Sequence, residues 1–204
     1  MLTFIFASTN YHNKMKSTLL LLLLVCQGAF AQTLLMNSVD KTTGTRTIIT
    51  NNHKGAEIKW DDSIVPNGLV FFSAGYQKIN KPDDTSEVYF VELNIVHKDT
   101  RLGCLKDTDG KILITLKNGT RIECFQISPT DCDPVGFTAA FALMPKNGSK
   151  DLMRQNFNTL LTTEVAKIKI FTTEKELEYS TNSTTRAVIK AHFALLDKTI
   201  KASL

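Results

Sequence analysis

No apolar stretch in this 204-residue sequence approaches the roughly 20 residues that a helix needs to cross a bilayer; the run Leu19 to Val25 falls far short. Cysteine is scarce at four residues, glycine at ten and proline at five. Those counts exclude a disulfide-built miniprotein, a collagen-like chain and a Pro/Gly-rich low-complexity chain. Basic and acidic residues are interspersed, so no block of one sign offers a footprint for nucleic acid or an anionic membrane. With 43% hydrophobic and 22% charged residues, the chain is too apolar for disorder, and a hydrophobic core must carry the fold.

Chemical signatures are missing as well. There is no C-x-x-C, H-E-x-x-H or paired Cys and His spacing for a metal, and no G-x-S-x-G, G-x-x-x-x-G-K-[ST] or G-x-G-x-x-G loop. Asp107 and Asp109 before Gly110 resemble the start of a calcium loop. The chain then runs into Lys111-Ile112-Leu113, where such a loop needs further oxygen ligands, so the cluster reads as a turn. Asp61-Asp62 and Asp83-Asp84 are further carboxylate pairs that nothing in the sequence positions across a cleft. No cofactor or metal is expected.

The N-terminal segment does carry a signal. Lys14 and Lys16 precede the run Leu19 to Val25, followed by Gln27-Gly28-Ala29-Phe30-Ala31. A positive region, a short apolar core and small residues at Ala29 and Ala31 predict a secretory signal peptide over 1–31, cleaved between Ala31 and Gln32. Initiation at Met1 or at Met15 gives the same mature chain. Its loss takes the 24 basic residues to 22 against 20 acids, a formal charge of +2. The product is expected to be secreted or periplasmic, with no transmembrane anchor in the mature chain.

Beyond Gln32, strand patterns dominate until the last third: 45–50, 56–60, 68–76, 87–97, 101–106, 111–117, 120–127 and 137–144. In the longest, Tyr89, Val91, Leu93 and Ile95 share one face, and Val88, Phe90, Glu92, Asn94 and Val96 the other. Asn118-Gly119 is a strong hairpin signal, and with the turn at 107–110 it predicts a three-stranded meander over 101–127. Ser149 is placed to cap a short helix through Leu161, and 165–172 with 176–180 reads as another hairpin. A final helix begins near Ser183, with Ile189, Phe193, Leu196 and Ile200 along one side. The expectation is an α+β domain over 32–204, mainly an antiparallel sheet (sandwich or partly open barrel), with the C-terminal helix packed on it. Residues 78–85 read as a loose connection and the one place where the chain could divide.

The mature chain keeps Cys104, Cys124 and Cys132. Taking Asn118-Gly119 as a two-residue turn sets Leu113 opposite Cys124 and puts Cys104 two strands away, about 9–10 Å, beyond the reach of a disulfide. Cys124 with Cys132 is the leading bridge, three buried thiols an alternative, and Cys104 with Cys132 the remaining pairing. Phe71 and Phe72, adjacent on one strand, must point to opposite faces; with Trp60 they mark a candidate binding surface. His53, His97 and His192 are far apart in sequence, and the last flanks the helix stripe as a packing residue. Asn118-Gly119-Thr120, Asn147-Gly148-Ser149 and Asn182-Ser183-Thr184 match the glycosylation triplet but also read as turns or caps.

Asp40-Lys41-Thr42-Thr43-Gly44 before a threonine-rich strand, and Val165-Ala166-Lys167-Ile168-Lys169-Ile170 before a hairpin and final helix, resemble uncharacterised exported proteins of Bacteroidetes-type bacteria. The resemblance covers about a quarter of the chain. It implies export and a bacterial source, and no activity, cofactor or catalytic residue. The expected function is that of an exported, non-enzymatic binding or cell-envelope accessory protein, whose partner is an unidentified protein or envelope ligand. The rival is a small secreted hydrolase with its site near His97 and Cys104 or the aspartate clusters.

Overall fold

The computed structural model describes residues 32–52, 58–59, 69–80, 85–96, 102–105, 109–130 and 136–203. The strands are β1 (Leu34–Val39), β2 (Arg46–Thr50), β3 (Ile58–Lys59), β4 (Leu69–Asn80), β5 (Thr85–Val96), β6 (Lys111–Leu116), β7 (Arg121–Gln126), β8 (Gly136–Ala142), β9 (Val165–Phe171) and β10 (Glu176–Ser180). Among the described residues two helices join them, α1 (Lys150–Thr162) and α2 (Ser183–Lys201). All strands belong to one antiparallel sheet in the order β1-β2-β4-β5-β8-β7-β6-β9-β10, with β3 against β4. Among the described residues the end strands β1 and β10 do not pair, so the sheet is not closed, and the expected antiparallel α+β architecture with the C-terminal helix on the sheet holds. Gln32–Leu204 forms one compact unit.

Period-two alternation makes the inner face. Phe72, Ala74 and Tyr76 of β4, Tyr89, Val91, Leu93 and Ile95 of β5, Ile112, Ile114 and Leu116 of β6, and Ile122 and Cys124 of β7 are all buried. Both helices cover this face with apolar stripes: Met153, Phe157 and Leu160 from α1, and Val188, Ile189, Phe193, Leu196 and Ile200 from α2. Their aromatic rings interlock. Phe157 lies 4.5 Å from Tyr89 and 6.0 Å from Phe193, and Phe193 lies 5.8 Å from Phe72 (centroids). Each helix starts where a side chain satisfies an orphan amide: Ser149 Oγ accepts from Leu152 N–H (3.1 Å), and Asn182 Oδ1 accepts from Thr185 N–H (2.9 Å). Two of the three glycosylation-like triplets thus supply helix caps. In the third, Asn118 Oδ1 accepts from Thr120 N–H within the β6–β7 turn.

Several expectations are revised. β1 is a strand that no alternation announces, because five of its six residues are exposed. Of the expected loose connection at 78–85, the described residues lie in strands: β4 and β5 pair from Leu69↔Val96 to Asn80↔Thr85. The predicted strand at 101–106 is not one over its described residues, Leu102–Leu105. Gly103 turns the chain at φ 72°, while Leu102 and Leu105 both enter the core. β6 takes β9 as its second neighbour, so the meander has another third strand. The turn after β6 is also one residue longer than the Asn-Gly pair suggests. Leu116 N–H donates to Thr120 O (2.9 Å) across Lys117-Asn118-Gly119, with Gly119 at φ 85°. The ladder therefore sets Ile112, not Leu113, opposite Cys124. A slip of one residue would turn the buried Ile112, Ile114 and Leu116 out to solvent.

Candidate functional site

The face of the sheet away from the helices is divided by chemistry. Across β6, β7, β9 and β10 it is laced with ion pairs: Lys167 to Glu178 (2.7 Å), Lys169 to Glu176 (2.8 Å) and Lys111 to Glu123 (4.0 Å). The hydrogen bond from Lys167 lowers the Glu178 pKa, and that from Lys169 to Glu176 raises the lysine's. These pairs are exposed, so they mark a solvated surface and add little to stability.

Across β4, β5 and β8 the same face changes character. One cross-strand row runs Met36, Ile49, Gly75, Phe90, Ala142 and Phe125. Phe90 lies flat over Gly75, where any Cβ would collide with its ring. The next row is Ser73, Glu92 and Ala140, and the one beyond is Phe71, Asn94 and Thr138. A depression of about 530 Å³ opens over β5 and β8, lined among others by Glu92, Asn94, Thr138, Ser128, Gly136 and Ala140. Ser128 is held in place: its Oγ accepts from Ala140 N–H (2.9 Å) and its carbonyl from Gln126 Nε2 (2.8 Å).

Among the described residues Glu92 is the one charged side chain lining this depression. Burial raises the pKa of its carboxyl, and among the described residues no opposing charge or hydrogen bond offsets that shift. Strands with one wet face seldom keep a half-buried acid in mid-strand without a cation beside it. Its surroundings are the hydroxyl and amide side chains of Ser128, Thr138 and Asn94 and the small residues Gly136 and Ala140.

The residues singled out in the sequence fall as follows. Phe72 is 2% exposed, packed between Phe193 and His192, and so is removed from the binding surface by the inward face of β4. Phe71, on the other face, is partly exposed and lies opposite Asn94. Trp60, His53, His97, Cys132 and the aspartates at 61, 62, 83, 84 and 107 lie outside the described residues, as does Ala31 before Gln32. Asp109 is exposed and pairs with Lys146 (2.6 Å). Among the described residues, no three His, Cys, Asp or Glu side chains gather as metal ligands.

Cys124 is a free thiol, 0% exposed, so the Cys124–Cys132 bridge is corrected. It projects from the inner face of β7 into the core, and burial pushes its pKa far up. Cys104 instead is disulfide-bonded, which withdraws it as a hydrolase nucleophile. Backbone ties fix it beside the β9–β10 turn, where Thr173 N–H donates to Cys104 O (2.7 Å). His192 is also in the core, its Nδ1 2.7 Å from Thr50 Oγ1, and it has a structural role.

Sequence reasoning placed Glu92 and Asn94 on the mixed face but attached no site to them. The available signal was an acid at Glu92, with Asn94 beside it, on a strand face that otherwise carries Val88, Phe90 and Val96. Comparison of the chain with family models, with curated proteins and with solved structures found no match.

Proposed function

We propose that this chain is an exported, non-enzymatic binding module of the cell envelope or the space outside it. Its ligand presents a cationic group to Glu92 in the depression over β5 and β8. The observation that carries the reading is the half-buried Glu92 carboxyl, unpaired among the described residues and set in a roomy hollow whose other described side chains are uncharged. A guanidinium or ammonium there gains a desolvated partner, while Asn94, Thr138 and Ser128 offer acceptors for its remaining N–H groups. The signal-like segment before Gln32 supports export, and so does the disulfide at Cys104, a bond that persists in oxidising compartments.

Titration with the tripeptide Gly-Arg-Gly tests the site. Glu92→Gln is expected to weaken binding at least about tenfold at neutral pH, and acidification through the raised Glu92 pKa weakens it in the wild type alone. Equal affinity in both proteins would overturn the reading. Stability gives a second readout. Because the folded pKa is raised above the ordinary value of 4.5, the fold takes up a proton more readily than the unfolded chain. The ionised group therefore destabilises the fold above that pKa, and the effect vanishes as pH falls below the ordinary value. Glu92→Gln should be more stable than wild type at about pH 7 and equal to it near about pH 3.

Export and thiol state are read together by intact mass. The exported protein is expected to start at Gln32, to take no alkylating reagent when native, one equivalent (Cys124) when denatured, and three after reduction. Retention of residues 1–31 would overturn export. Native labelling of Cys124 would contradict its burial.

A further inference from the structure

We infer that Arg46 of β2 and Lys78 of β4 form a binding site for a phosphate group, at the end of the helix-covered face where α2 finishes. Val39, Arg46, Lys78 and Glu87 make one cross-strand row. Ile48 and Tyr76, two residues away on β2 and β4, are buried in the core, so the row belongs to the helix side of the sheet. The site is on the opposite face from Glu92 and independent of the reading built on that residue. Arg46 and Lys78 are directly opposed and both partly buried, an arrangement of like charges that costs stability unless something neutralises it.

Acids on the elements that frame this end are already engaged. Glu87, beside Lys78 in register, accepts from Arg154 (2.9 Å) and from the Tyr89 hydroxyl (3.4 Å). Asp40 turns its carboxylate to the N–H groups of Thr42 and Thr43 (2.7 and 3.3 Å), and Asp197 pairs with Lys201 (2.7 Å). The two cations do not cap α2 either, because its last carbonyls accept from its own end: Lys198 O from Ala202 N–H (3.0 Å), Ile200 O from Ser203 N–H (3.1 Å) and Thr199 O from Ser203 Oγ (2.7 Å). Among the described residues Asn37 Oδ1 is the one acceptor for the Arg46 guanidinium (2.9 Å), which it orients, and Arg46 Nε is buried without one. Arg46 and Lys78 line a cavity of about 150 Å³ together with Tyr76, Ile200 and Ser203. It has room for one phosphate group and is well below the roughly 300 Å³ at which pockets enclose drug-sized ligands. A guanidinium fork beside an ammonium suits a tetrahedral oxyanion, and two positive charges match a phosphate dianion where a carboxylate would leave one over.

Titration of the full chain with inorganic phosphate, at ionic strength matched by chloride and followed by amide NMR, tests the site. Saturable shifts are expected at Arg46, Lys78 and Ser203, with a Kd of about 1 mM or tighter. Glycerol phosphate serves as a second probe: binding as tight as that of the free ion marks a phosphomonoester as the ligand, and failure to bind marks free phosphate. Acetate should bind at least about tenfold more weakly than phosphate. Lys78→Met should weaken phosphate at least about tenfold, and Arg46→Lys, which keeps the charge and loses the fork, should weaken it too. Lys169→Met, on the solvated face, should leave it unchanged. Thermal melts separate a lost site from a lost fold. In chloride, Lys78→Met should melt at or above the wild type, since a like-charge contact is gone, and of the two only the wild type should gain stability when phosphate replaces chloride. Equal phosphate affinity in the wild type and Lys78→Met, acetate binding as tight as phosphate, or no response to phosphate beyond that to chloride would overturn the proposal.

Discussion

Phe193→Ala is expected to lower the unfolding free energy by about 3–5 kcal/mol, a large part of the 5–15 kcal/mol that holds a domain of this size. Phe193 is fully buried and its ring meets Phe72 of β4 on one side and Phe157 of α1 on the other. Truncation thus opens a void where three elements join, and neither flanking ring can close it without leaving its own contacts. Phe193→Leu keeps most of the volume and should cost less than half as much. Urea denaturation of both variants decides the matter. A loss below about 1.5 kcal/mol for the alanine variant would show that the core collapses onto the gap or that α2 is loosely docked.

Thr50→Val is expected to cost about 2–4 kcal/mol, although it keeps the side-chain shape. The Thr50 hydroxyl accepts from Ala74 N–H (2.8 Å) and lies 3.1 Å from the Ala74 carbonyl and 2.7 Å from His192 Nδ1. β2 and β4 pair through backbone only as far as Ile49↔Gly75; one residue on, this hydroxyl takes over the ladder. Valine would strip the buried Ala74 amide of its acceptor and take one partner from His192. Thr50→Ser should retain most of the stability. The Thr50→Val and His192→Leu losses should combine to less than their sum, since each removes the same contact. Simple additivity in thermal or urea melts would contradict the shared bond.

Legibility in the sequence followed the range of the interactions that decide each feature. The alternation in β5, the Ser149 cap and the stripe Ile189, Phe193, Leu196 and Ile200 on α2 are local and were readable residue by residue. What escaped was non-local or wet. β1 shows no period because solvent reaches nearly all of it. The choice of β9 over the 102–105 segment as neighbour of β6 depends on Leu102 and Leu105 anchoring in the core, which strand propensity does not report. The register at Cys124 turned on one extra turn residue, and the expected Cys124–Cys132 bridge failed for a separate reason, since Cys124 points into the core as a free thiol. Glu92 was visible as a mid-strand acid; only the fold shows that β8 brings no cation to it.

The pairing of β7 with β8 covers only Phe125↔Ala142 and Gln126↔Phe141, extended by Phe125 N–H to Met144 O (3.1 Å) and Ile127 N–H to Ala140 O (2.9 Å). On either side the ladders are long: β5 with β8 runs from Phe90 to Val96, and β6 with β9 from Lys111 to Leu116. Mechanically, the sheet is two stiff panels joined by a short weld. Under tension or partial denaturation the weld opens first, and amide hydrogens along it exchange before those of either panel. Folding follows another order: the weld joins Phe125 to Ala142, near neighbours in the chain, whereas the ladders on either side join Phe90 to Ala142 and Lys111 to Phe171, so the long ladders are where residues distant in sequence meet.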